Sequence, residues 1–302
     1  MVSLYTHQDQ NIRKTWVLVS AFFVIVIGLG WFFAYYLQVP ELLPLAVGMS
    51  VVMNVVSYYA SDKIALALYR AQEVDFKTAP ELYRLLENLC IAANLPMPRL
   101  YVIESSQPNA FATGRNEKHA VIAVTTGLLQ KLEKTEIEGV LAHELAHIGN
   151  KDMLLLTMVV VLVGFISLLS DWFLRSMWWG RSDDDDHGKS AAVFLLIGII
   201  LAILSPIIAM LIQLAISRKR EFLADSTGAL ITRYPEGLAR ALEKISHDKS
   251  DMPRANHATA HLWFGSPYNL DDDYGDQKIS LFARLWMTHP PISERIRVLR
   301  GG

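Results

Sequence analysis

Thr135-Glu-Ile-Glu-Gly-Val-Leu-Ala-His143-Glu144-Leu-Ala-His147-Ile-Gly-Asn-Lys-Asp152 is the stretch from which the fold is read. Thr135 to Glu138 fits a capping box, so a helix is expected to begin there. Ile137, Leu141, Leu145 and Ile148 recur at helical spacing and form one apolar stripe. His143 and His147 lie four apart on a face beside that stripe, so two imidazoles can reach one metal ion. Glu144 projects near the open coordination position and suits a general base. The plainer reading of the same residues is two surface histidines on an ordinary helix.

Outward from this helix the chain turns apolar. Of its 302 residues 52% are hydrophobic and 19% charged, and the mean hydropathy is +0.26. A soluble domain carries about a quarter charged residues, so much of this chain is expected in lipid. A spanning helix needs roughly 20 apolar residues. Four segments are predicted to qualify: about 15–40, 42–61, 153–174 and 190–217. The third has the shortest uncharged run, Met153 to Ser170, and a buried core helix is its alternative. The first is too long for a cleaved signal peptide. Arg13 and Lys14 precede the first span, Lys63 and Arg70 follow the second, and Arg218, Lys219 and Arg220 follow the fourth. These groups share one face, which the positive-inside rule makes cytoplasmic. Asp183 to Asp186 reads as a solvated loop between the third and fourth spans. A net charge of -2 gives no electrostatic case for nucleic acid. Cys90 is the single cysteine, which excludes a disulfide within the chain and reads as a small core residue.

Four segments are therefore expected: 1–61, an N-terminal piece and transmembrane hairpin; 62–152, the first part of a catalytic domain; 153–217, a second hairpin; and 218–302, the second part. In the first soluble block, Thr78-Ala-Pro-Glu81 reads as a capping box before a helix with Leu82, Leu85, Leu86 and Leu89 on one face. Residues 100–103, 109–113 and 120–125 read as strands of a small sheet. Asn109, Ala110, Phe111 and Ala112 are candidates for an edge that pairs with an extended substrate.

The third metal ligand is expected from Glu221-Phe-Leu-Ala-Asp225. Glu221 stands just after the fourth span, and His147 just before the third, so a transmembrane hairpin returns Glu221 to the histidines. Asp225, one turn on, can accept a ring N–H from a ligating histidine. His289, in Thr-His-Pro-Pro, is a candidate oxyanion donor on a backbone restricted by Pro290 and Pro291, with Arg295 the weaker candidate. His257 and His261 are also four apart, but only Ala258, Thr259 and Ala260 lie between them, so no base is supplied.

The runs at 143–152, 217–225, 108–114 and 288–291, in this order and with four spans, resemble the HtpX-type membrane metalloproteases, distant relatives of the CAAX prenyl proteases. Phe222 stands where that family often has Tyr, a departure that touches no ligand. The resemblance implies one zinc ion per chain on His143, His147 and Glu221, Glu144 as base, and polypeptide substrates, above all membrane proteins. It also implies quality control of misfolded proteins in a bacterial inner membrane. The expected fold is an α+β membrane protein: four transmembrane helices and a cytoplasmic zincin-like catalytic domain of helices and a small sheet, formed from two chain segments. A catalytically inactive membrane scaffold or chaperone-like binder is the alternative in another class. An intramembrane protease would need its HExxH helix in lipid, yet Lys131, Glu133, Lys134, Glu136 and Glu138 precede the motif.

Overall fold

The computed structural model describes residues 4–37, 40–159, 218–250, 262–265 and 290–301. Most of the third and fourth expected spans, the acidic run 183–186, and His257, His261 and His289 lie outside the described residues. Two long helices open the chain, α1 (Leu4–Leu37) and α2 (Leu42–Leu68), packed side by side. Within α2, Leu43–Ala60 is long and apolar enough to cross a membrane, with mean hydropathy 1.5 and only 11% buried. The whole helix is about 40 Å long, so its last turns run on into the globular part.

That part is built on a four-stranded mixed sheet. Strands β1 (Gln72–Val74), β2 (Arg99–Ile103), β3 (Ala110–Thr113) and β4 (Val121–Thr125) take the order β1-β2-β4-β3. Only β2 and β4 run parallel. The strands expected near 100–103, 109–113 and 120–125 are present, and β1 joins them as a short, largely exposed strand with no apolar alternation to announce it. β4 is buried along its full length because both faces are covered. Ile122 and Val124 pack with α3 (Pro80–Ala93) and α5 (Lys134–Gly149), while Val121 and Ala123 pack with Trp263 and the end of α2. Leu82, Leu85, Leu86 and Leu89 form the buried face of α3, and Cys90 beside them has its thiol pushed up to about 11 by burial.

Both expected capping boxes are corrected by local hydrogen bonds. The hydroxyl of Thr78 closes a turn on Asp75 instead, and α3 begins with Pro80 after an uncapped Ala79. The cap of α5 falls two residues early, on Glu133 and Glu136 rather than on Thr135 and Glu138. The carboxylate of Glu136 accepts from the Glu133 N–H and from Lys244, each at 2.8 Å, and this pairing lets it sit buried and sets the register. A short helix, α4 (Thr126–Lys131), leads from β4 towards α5. Beyond α5 the chain turns at Lys151, whose φ is 58°, into helical residues 152–159. The second soluble block supplies α6 (Arg218–Thr232), α7 (Pro235–Ser246) and α8 (Ile292–Leu299). α6 and α7 both lie on α5.

Candidate metal centre

α5 presents His143, Glu144 and His147 inwards, all nine-tenths or more buried. The i, i+4 spacing brings the two rings edge to face, with centroids 4.7 Å apart and Nε2 atoms 3.1 Å apart. α6 crosses close by because of Gly228. A Cβ there would stand 3.0 Å from the His143 backbone nitrogen, so only glycine allows this approach without a shift. The crossing sets Glu221 opposite the rings. Its oxygens lie 3.6 Å from His147 Nε2 and 3.8 Å from His143 Nε2. Ligand atoms of His143, His147 and Glu221 all lie within 4.8 Å of one another.

Each histidine has its own carboxylate behind it. Asp152 Oδ2 is 3.0 Å from His147 Nδ1. Asp225 Oδ1 is 2.9 Å from His143 Nδ1, a close contact whose angle falls short of a good hydrogen bond. Asp225 is gripped by Arg295 of α8 through two bonds, Nη2 to Oδ1 at 2.7 Å and Nε to Oδ2 at 2.8 Å. Burial alone would raise the Asp225 carboxyl, but the Arg295 charge and hydrogen bonds overcome this and hold it at about 2. Burial pushes His143 down to about 4. Burial also opposes charge on His147, yet the Asp152 hydrogen bond and the charges of Glu221, Asp152 and Glu144 raise it to about 9.

These opposed shifts say what the site is built to hold. With Nδ1 of both rings turned to carboxylates, the Nε2 lone pairs face each other and an additional carboxylate. Two ring nitrogens and a carboxylate turned towards one another in this way call for a cation among them. A divalent metal ion fits the same donors: two imidazoles, one carboxylate and a backing acceptor for each ring. The space enclosed by the ligands, Glu144, Ala112 and Phe264 is about 10 Å³, enough for about one water-sized sphere.

Arg295 is fully buried and committed to Asp225, so it stands behind the ligands rather than at a free oxyanion position. β3 is an edge strand of the sheet, but part of its outer edge is already taken. The Phe264 N–H donates to the Ala110 carbonyl at 2.8 Å, and the Asn109 side chain clamps Gly265 by two bonds of 2.9 Å. Phe111 turns to the other face of the sheet, against Trp263. Ala112 alone of the four lines the cleft beside His143 and Glu144. Sequence reasoning left Asp152 between anchoring the helix end and backing a ligand, and passed over Trp263 and Phe264. The first became visible only through the Lys151 turn, and the aromatic pair sits in a run with no periodic pattern.

The model of peptidase family M48 matches residues 76–302. The chain belongs to peptidase family M48. This M48 peptidase is 44% identical to a protease HtpX homolog of Thermoanaerobacter pseudethanolicus, over 99% of this chain and 98% of that one. It is 43% identical to a protease HtpX homolog of Thermococcus sibiricus, over 94% of this chain and 95% of that one. It is therefore a metalloprotease of the HtpX type, and the family implies a metal for the centre described above. The crystal structure of S. mikatae Ste24p shares the fold with a TM-score of 0.52 at 17% identity, covering 99% of this chain and 67% of that chain.

Proposed function

We propose that this M48 metalloprotease is a zinc-dependent endopeptidase of the bacterial inner membrane that cleaves misfolded or damaged membrane proteins. Its catalytic half would face the cytoplasm. The observation that carries the reading is the convergence of His143, His147 and Glu221, each histidine backed by its own carboxylate. Two nitrogens and one oxygen suit zinc among the common divalent ions. Zinc held there supplies Lewis-acid polarisation of a carbonyl and makes water more acidic. The rest falls to the chain itself.

Glu144 borders the same small space as the three ligands. It takes a proton from the attacking water and passes that proton to the departing amine nitrogen. Asp225 and Asp152 hold the two imidazoles in the tautomer that points Nε2 inwards. Ala112 offers its outward N–H and C=O to an extended peptide, since residues of β3 alternate between bonding β4 and facing outwards. Main-chain pairing of this kind makes few demands on side chains, which suits a protease for damaged proteins. The cationic groups Arg13, Lys14, Arg218 and Lys219 support a cytoplasmic catalytic face.

The test is cleavage of casein by full-length protein in detergent, wild type beside Glu144→Gln, with metal content measured in both. Cleavage by the wild type alone, with zinc near one per chain in each, is the expected result. Zinc in both without cleavage by either would favour the scaffold. Folded protein that binds no zinc would overturn the metal centre.

A further inference from the structure

A second cavity, of about 510 Å³, lies between the hairpin and the globular part. Its floor is apolar: Trp16 and Val19 of α1, Tyr58 of α2, and Met153, Leu154 and Met158. Its rim is cationic, with Arg115, Lys118 and Lys151 against the single acid Glu117. None of these three cations has a carboxylate partner among the described residues; Arg115 instead stacks over the Tyr59 ring at 5.3 Å. Burial and the neighbouring Arg220 push the Lys14 ammonium down, with only Asp152 opposing them among its main influences.

Height in the membrane narrows the occupant. Tyr58 lies near the end of the stretch that can cross a bilayer, Leu43–Ala60. Trp16 and Tyr58 are aromatic side chains of the type that sits at headgroup level. The cavity thus offers apolar wall towards the lipid and three cations towards the globular part. A free phosphate would leave the wall unused. A transmembrane segment of a protein would leave the cations unused.

We propose that this cavity binds one anionic glycerophospholipid, its phosphate at Arg115, Lys118 and Lys151 and an acyl chain along Trp16, Leu154 and Met158. The site reaches the metal centre through one turn of backbone. Lys151 and Met153 line the cavity, and Asp152 between them holds His147. Lys151 is in the left-handed conformation, φ 58°, which a lysine rarely adopts. A phosphate on its ammonium steadies the turn that carries Asp152.

The experiment uses full-length protein in phosphatidylcholine nanodiscs, titrated with phosphatidylglycerol brominated in its acyl chains, which quenches nearby tryptophan. Saturable quenching is expected in the wild type and not in Trp16→Phe. The pair Lys118→Gln with Lys151→Asn removes two rim cations; asparagine tolerates the left-handed turn. It should weaken binding about 30-fold, at about fivefold per cation. The pair Lys63→Gln with Lys219→Gln removes the same charge from exposed positions elsewhere and should leave binding within about twofold. Leu154→Phe narrows the floor without changing charge or adding a tryptophan and should also weaken saturable quenching. Equal loss in both lysine pairs would overturn the site in favour of general surface attraction. Displacement of the lipid by inorganic phosphate, or equal binding of brominated phosphatidylcholine, would overturn an anionic phospholipid as the occupant. Binding is read without catalysis, so the outcome is independent of the protease reading.

Discussion

Arg295 carries no substrate-facing role in this structure, yet the centre depends on it. Its guanidinium supplies both bonds that keep Asp225 ionised against burial, and it also lies 3.8 Å from Glu221. Arg295→Met would leave a buried carboxylate without its partner, a loss of about 3–5 kcal/mol in comparable sites. Asp225 would then take up a proton and cease to orient His143. Metal affinity should fall about 10- to 100-fold, as for other groups behind metal ligands, with Arg295→Lys intermediate. Isothermal titration with zinc on the metal-free variants measures this; unchanged affinity in Arg295→Met would refute the role. The pH signature has a definite sign. The Asp225 carboxyl lies at about 2 in the fold against 3.8 unfolded, so its stabilisation is present above about 4 and lost as pH falls through about 2. Without Arg295 that acid loss should move to higher pH. Asp225 was legible in the sequence because it lies one turn from Glu221 on the same helix. Arg295 and Asp152 were not, because one arrives from α8 and the other follows a left-handed turn that helical periodicity does not describe.

Among elements, the crossing of α5 and α6 positions the ligands, and it hangs on Gly228. α5 was readable from its apolar stripe and the start of α6 from the one-turn spacing of Glu221 and Asp225. Their separation was not, since a glycine within a helix carries no pattern of its own. Gly228→Val would push branched carbons into the backbone of Ala142 and His143, which stand 3.0–3.2 Å from the Cβ position. α6 must retreat and take Glu221 with it. The expected result is a loss of zinc affinity of at least about tenfold, with helical content unchanged by circular dichroism. Wild-type affinity in a folded variant would show that the crossing can flex. The sheet teaches a similar lesson. An extended piece at residues 109–113, closed by Gly114, was legible, but the clamp of Asn109 on Gly265 joins positions 156 apart in sequence. No local signal reports such a contact, and it leaves Ala112 as the part of β3 that lines the cleft.

At the scale of the whole molecule, the centre joins two stretches of chain that flank residues 160–217. His143 and His147 belong to the first, Glu221 to the second, and the α5–α6 contact carries both. A metal ion is therefore expected to act as a staple between the halves as well as a reagent. Linkage gives the size: a ligand at a thousand times its dissociation constant stabilises the fold by about 4 kcal/mol. Adding zinc to chelator-treated protein should raise the melting temperature. The rise should nearly vanish in Glu221→Gln, which keeps both histidines but removes the ligand from the second half. The effect also has a pH direction. His147 is raised from 6.5 to about 9 without metal, so zinc must displace a proton to bind. The zinc-dependent shift in melting temperature should therefore grow as pH rises from about 6.5 towards about 9. A shift that persists in Glu221→Gln, or shrinks as pH rises, would mean that the ion sits elsewhere and that the two halves are held by packing alone.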